Sequence, residues 1–159
     1  MKKSFLMKIL VIVSFLAILV SGYLLYLHYT PDIIEFCEIG GFSCHTVNKS
    51  VYSNLDGVIN HFLGTSFNLP ISNALISLIV FIFIFLGNLF LYKGKRFLNL
   101  PRKEALKLIE ILLFISLIYG ILLIYIQAKI LLTWCIFCLV LDALILLAFI
   151  IAIFIGGDS

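Results

Sequence analysis

ILLTWCIFCLVLDALILLAFIIAIFI, residues 130–155, is the stretch that decides how the rest of the chain is read. Asp142 is its single formal charge. It is longer than the roughly 20 residues with which a helix crosses a hydrocarbon layer. Three more runs of the same kind precede it, Ile9–Tyr29, about Leu69–Tyr92 and about Leu108–Gln127. In lipid the backbone must satisfy its own hydrogen bonds, so such runs are helices. The fold expected is all-α, an integral membrane bundle of four helices within one domain, residues 1–159. The first run follows Lys2 and Lys3 as a signal peptide would. It is too long for that apolar core, and Val20-Ser21-Gly22 is a poor cleavage site, so it reads as a retained span.

Composition agrees. Hydrophobic residues are 64% of the 159 positions and charged residues 12%, against about 25% charged in a soluble domain. The mean hydropathy is +1.24. A net charge of +3 is carried in short clusters beside apolar runs. No basic face or stacking platform for nucleic acid is present in the pattern. Lys2, Lys3 and Lys8 lie at the N-terminus, and Lys93, Lys95, Arg96, Arg102 and Lys103 lie in the loop 93–107. The loop 30–68 has only Lys49 against Asp32, Glu35, Glu38 and Asp56, and the turn between the last two spans has Lys129. Positive-inside bias therefore predicts both termini and loop 93–107 in the cytoplasm, with loop 30–68 outside. This suits a cell membrane, or an ER membrane with those loops in the lumen.

All four cysteines fall on the outer side. Cys37 and Cys44 sit in the outer loop beside the flexible Gly40-Gly41, and Cys135 and Cys138 form a C-x-x-C at the outer end of the fourth span. A cysteine near a helix N-terminus has its thiolate stabilised by N–H groups, and a thiolate attacks disulfides. One rigid pair and one loop pair facing one compartment make a redox relay. Inert disulfide staples are a second reading. A metal site of Cys37, Cys44, His45 and His61 is a third, although its spacing fits no common zinc template. Farther along the loop, Val51, Leu55, Val58, Ile59, Phe62 and Leu63 recur at helical spacing, predicting a short amphipathic helix that is either packing or a lid.

Cys138 lies one turn deeper than Cys135, within reach of a lipid-soluble quinone. Asp142 follows it at i+4 on the same face. An acid inside a span costs about 2.5–3.5 kcal/mol on insertion scales, which makes Asp142 a candidate proton donor to a reduced quinone oxygen or else a hydrogen-bonding partner of a neighbouring helix. Trp134 reads as an interfacial anchor or a quinone stacker. His28, His45 and His61 read as interfacial polar residues, and Glu110 as a partner for Lys107 at i−3.

With these residues in view, the chain resembles the vitamin K epoxide reductase family. The likeness runs through Tyr26-Leu27-His28 at the end of the first helix, Cys37, and Cys44-His45-Thr46-Val47-Asn48-Lys49-Ser50. It continues through Gly57 and His61-Phe62-Leu63-Gly64, Asn68-Leu69-Pro70-Ile71-Ser72, and Cys135-Ile136-Phe137-Cys138. The resemblance implies that Cys37 and Cys44 are a shuttle pair, that Cys37 meets the partner, that Cys44 attacks Cys135, and that Cys138 is released beside the quinone. Ser50 matches the family's serine or threonine near the reacting groups, or else it caps a turn. The family's quinone-binding asparagine falls at Ile71 or, with a shifted alignment, at Asn73. Members that reduce vitamin K often carry tyrosine where this chain has Asp142, which weighs against epoxide reduction more than against quinone reduction.

The implied activity is a quinone-linked thiol–disulfide oxidoreductase, using a ubiquinone, menaquinone or phylloquinone. It would reoxidise a separate thioredoxin-fold partner, since no thioredoxin-like segment follows Ser159, and so support disulfide formation in exported proteins. A second kind of quinone-linked disulfide oxidase carries its C-x-x-C in the first outer loop, the reverse of the order here. The rivals are vitamin K epoxide reduction and a non-enzymatic membrane accessory with structural disulfides.

Overall fold

The computed structural model describes residues 2–30 and 40–157. Four of its helices are long and apolar enough to span a membrane: α1 (Lys2–Tyr29), α4 (Asn73–Tyr92), α5 (Arg102–Ile126) and α6 (Ile136–Gly157). Between α1 and α4 lie α2 (Cys44–Lys49), a 3-10 turn Val51–Ser53, and α3 (Leu55–Leu63). The chain is an integral multi-pass membrane protein. Only 22–33% of the most apolar window of each span is buried inside the protein, and the outward faces carry Phe5, Ile12, Ile79, Ile118, Ile121 and Phe154. Such a surface is stable only against lipid.

The helices extend past the apolar runs at some ends and start late at others. α1 and α5 reach back to Lys2 and Arg102, because a helix can continue into the headgroup layer where its basic side chains meet water. α4 begins at Asn73 rather than near Leu69. Pro70 precedes it, and Ser72 caps it by accepting the Ala74 N–H at 3.2 Å. α6 begins at Ile136 rather than Ile130. A π-helical turn, Gln127–Leu131, ends at Leu132 in a left-handed conformation (φ 51°), and the chain then runs extended to Trp134.

α1 packs along both α4 and α6, and α5 packs along α6, whereas α4 and α5 meet only sparsely. The order around the bundle is therefore α5, α6, α1, α4, with an incomplete seam between α4 and α5. Polar contacts register α1 against α4. Asn88 Nδ2 donates to Ser14 Oγ at 3.0 Å and Ser77 Oγ to Ser21 Oγ at 3.2 Å. Lys107 pairs at 3.9 Å with Glu104, not with Glu110. Glu110 instead places its carboxyl against Gly156 of α6, where any side chain on that glycine would collide with it.

The amphipathic stretch of the outer loop divides into the 3-10 turn and α3. α3 buries Gly57 and Val58, leaves Phe62 and Leu63 exposed, and ends on Gly64 in the left-handed region (φ 62°). Gly57 lies directly against the Val51 carbonyl. A methyl group there meets backbone rather than a movable side chain. Gly57→Ala is therefore expected to destabilise the protein by about 1–3 kcal/mol, read as a lowered unfolding temperature in detergent. An unchanged melting curve would show that the turn adjusts freely.

Candidate functional site

The site is assembled by backbone pairing between the outer loop and the segment before α6. Phe42 and Trp134 form a parallel bridge. The Ser43 N–H donates to the Trp134 carbonyl at 2.9 Å, and the Trp134 N–H to the Gly41 carbonyl at 3.4 Å. Ser43 then caps α2, its Oγ accepting the Thr46 N–H at 3.2 Å. Cys44 is the first residue of that helix and Cys135 the residue before α6, so the pairing brings them face to face. Cys135 Sγ lies 3.4 Å from Cys44 Sγ, and both residues are 0% exposed.

Cys44 is disulfide-bonded, while Cys135 and Cys138 are in the thiol form. Cys37, the partner that the family resemblance implies, lies outside the described residues. The Cys138 N–H donates to Cys135 Sγ at 3.2 Å, a donor for that sulfur when it carries charge during exchange. The Cys135 N–H donates to Gln127 Oε1 at 2.8 Å. Gln127 is itself buried in the π-helical turn, so the irregularity between the last two spans positions the C-x-x-C.

The Cys138 thiol lies against Cys135 and continues the line of sulfurs inward. It lines a cavity of about 330 Å³ enclosed by α4, α5, α6 and the loop residues Asn48, Ser50, Tyr52, Ser53 and Leu55. The cavity occupies the cysteine end of the bundle and follows the seam between α4 and α5. Ile115, on its wall, is 57% exposed on the outer surface of the bundle. The walls are mainly aliphatic, with a few polar groups. Asn73, at the start of α4, donates from Nδ2 to the Tyr52 carbonyl at 2.8 Å and accepts the Tyr119 hydroxyl at Oδ1 at 2.7 Å. Asp142 reaches the cavity one turn below Cys138, its carboxyl lodged against Gly120 of α5. Ser50 lines the cavity too, with its hydroxyl donated to the Val47 carbonyl at 2.7 Å, closing the end of α2.

Cys44, Cys135, Cys138, Ser50, Asn73 and Asp142 thus meet at one end of the bundle. Trp134 contributes backbone pairing and is not among the residues lining the cavity. Tyr119, Gln127 and Asn48 join the site without having been singled out by sequence reading. Each is a lone polar residue whose facing becomes visible only on packing. Among the described residues, no three His, Cys, Asp or Glu side chains gather as a metal site. His61 meets the Tyr52 hydroxyl at 3.4 Å instead.

An apolar slot with a redox-active thiol and scattered hydrogen-bonding groups fits the aromatic ring and carbonyl oxygens of a quinone. Residues 8–153 match the sequence model of the Vitamin K epoxide reductase family. No curated protein matches the chain. The match covers nearly the whole chain, and the protein belongs to that family, whose members are quinone-dependent thiol oxidoreductases.

Gln127→Ala would leave the buried Cys135 N–H without a partner, at a cost of about 1–3 kcal/mol. The expected outcome is a lower unfolding temperature together with slower thiol–disulfide exchange between Cys135 and Cys44, timed by acid quench and alkylation. Exchange at the wild-type rate would show that the side-chain contact does not position the sulfur.

Proposed function

From membership of this family, we propose that the chain relays electrons from a thioredoxin-fold partner, through its two cysteine pairs, to a membrane quinone, and thereby supports disulfide formation in exported proteins. The observation that supports this reading is a continuous chain of sulfurs: Cys135 contacts Cys44 on one side and the Cys138 thiol on the other, and Cys138 borders the cavity. One end faces the donor side and the other the acceptor side.

The partner's dithiol reduces the Cys37–Cys44 disulfide and leaves with a disulfide of its own. The Cys44 thiolate attacks Cys135 of an oxidised Cys135–Cys138 pair, forming a Cys44–Cys135 bond and releasing Cys138 as thiolate. Cys37 then attacks Cys44, restoring the loop disulfide and leaving Cys135 and Cys138 reduced. A bound quinone would take two electrons and two protons from the Cys135/Cys138 dithiol, becoming a hydroquinone as the Cys135–Cys138 disulfide forms again. Cys138 and Asp142 both border the space where it would lie, and Asp142 is placed to hold a proton beside the reacting thiol. Asn73, steadied by Tyr119 and the Tyr52 carbonyl, is placed to orient a carbonyl oxygen. The open seam beside Ile115 admits a lipid-soluble molecule sideways from the bilayer. The quinone would be a ubiquinone, menaquinone or phylloquinone. The distribution of Lys and Arg supports a cell-membrane orientation with the cysteines outside and both termini in the cytoplasm.

Anaerobic quinone reduction by the purified protein, with a reduced thioredoxin-fold donor, tests this directly. Alanine at Cys44, Cys135 or Cys138 is expected to bring turnover to background. Cys138→Ala should also accumulate the Cys44–Cys135 linkage on non-reducing gels, because no neighbouring thiol remains to reverse it from the helix side. A folded Cys138→Ala protein that reduced quinone at the wild-type rate would refute the relay.

A further inference from the structure

Asn48 carries a hydrogen-bond donor that its surroundings leave unused. Its side chain is 7% exposed, and Nδ2 has no partner. It stands four residues after Cys44 in α2, on the same helix face, and it lines the cavity with Cys138 and Asp142. The other buried side-chain polar atoms without partners among the described residues, Asn54 Oδ1 and Asn88 Oδ1, are acceptors on residues that do not line the cavity.

The hydroxyls around the cavity are already engaged. Ser50 and Ser53 donate to backbone carbonyls, as does Ser116, and Ser77 bonds Ser21 and the Ala74 carbonyl. Asn73 spends one Nδ2 hydrogen on the Tyr52 carbonyl and keeps the other for a ligand, and Gln127 holds Cys135 through Oε1. Asn48 cannot simply withdraw. Its own carbonyl contacts His28 Nδ1 at 2.9 Å, and the adjacent Lys49 Nζ donates to the His28 carbonyl at 2.8 Å, so this part of α2 is fastened to the end of α1.

A buried amide without a partner is destabilising, and an apolar residue of the same shape would avoid that cost. The group that satisfies it must be an acceptor, must reach the cavity, and must tolerate aliphatic walls. We propose that Asn48 is a head-group donor of this site, its Nδ2 hydrogen-bonding one carbonyl oxygen of the bound quinone. The assignment rests on the quinone-reductase reading above. It adds a contact on the loop side of the cavity, distinct from Asn73 on α4 and Asp142 on α6. It also ties acceptor binding to the short helix that carries Cys44.

The test compares two ligands of like shape on the full-length protein in detergent. They are 2-methyl-1,4-naphthoquinone and 2-methylnaphthalene, which lacks both carbonyls. Equilibrium dialysis gives both affinities, and thermal unfolding without ligand gives stability. Asn48→Leu is expected to weaken naphthoquinone binding about tenfold, the loss of one hydrogen bond to a buried donor. Naphthalene binding should be unchanged, and the unfolding temperature without ligand should be equal to or above that of the wild type. A merely structural role predicts the opposite, a lower unfolding temperature with both ligands weakened alike, and that result would overturn the proposal. So would an unchanged preference for the quinone. Asn48→Ala serves if the leucine variant does not fold, because the ratio of the two affinities is insensitive to a general loosening of the site. A wild-type protein with no preference for the quinone would remove the quinone site itself, and this assignment with it. Preference kept in both variants would remove only the assignment of Asn48.

Discussion

The 3.4 Å contact between Cys135 and Cys44 is the constraint on which the rest of the structure depends. Two sulfurs separated by most of the chain meet only because residues 41–43 pair with residue 134 and because Gln127 holds the residue before α6. None of these bonds is strong, since a backbone hydrogen bond contributes about 1 kcal/mol net. Together they fix the geometry of a step whose rate depends on which sulfur is attacked and from where. Both residues are fully buried, so the contact is shielded from solvent thiols and oxidants.

A C-x-x-C within a regular helix would put both sulfurs on one face, a turn apart. Here Cys135 precedes the helix and Cys138 lies within it. The first reaches the loop sulfur of Cys44 while keeping contact with the second, which borders the cavity. The left-handed Leu132 and the π-helical turn before it are what delay the start of α6 to Ile136. An irregularity that looks like a defect in a transmembrane hairpin thus sets Cys135 against Cys44.

The spans were legible in the sequence because lipid imposes length and apolarity together. Their ends were less so. Hydropathy does not register the cap at Ser72 or the backbone break at Leu132, and it stops before the basic first turns of α1 and α5. Within the site, cysteine spacing and the lone acid Asp142 stood out, since each is costly or unusual in an apolar helix. Asn73 was reached through family resemblance with a shifted alignment. Tyr119 and Gln127 gave no such signal. Tyrosine in an apolar run is ordinary, and a glutamine at a span end reads as interfacial. Trp134 was singled out for its ring, but its visible contribution is through the backbone. Glu110 shows the same difficulty in reverse, because helical spacing suggested Lys107 and the packing supplied Gly156.

The seam between α4 and α5 explains why polar groups gather where they do. Inside a bilayer, apolar packing between helices is only weakly favoured over contact with lipid, so a gap in the bundle carries a smaller cost than in a soluble core. Polar side chains at the same depth are expensive by contrast. Asp142, Asn73 and Asn48 nevertheless border that gap, and Gly120 leaves the room that the Asp142 carboxyl occupies. Asn73 recovers its cost within the protein through Tyr119 and the Tyr52 carbonyl. Asn48 Nδ2 does not. A fold selected only for stability would place a hydrocarbon at that position, so the amide makes physical sense when its missing partner is the molecule that the seam admits.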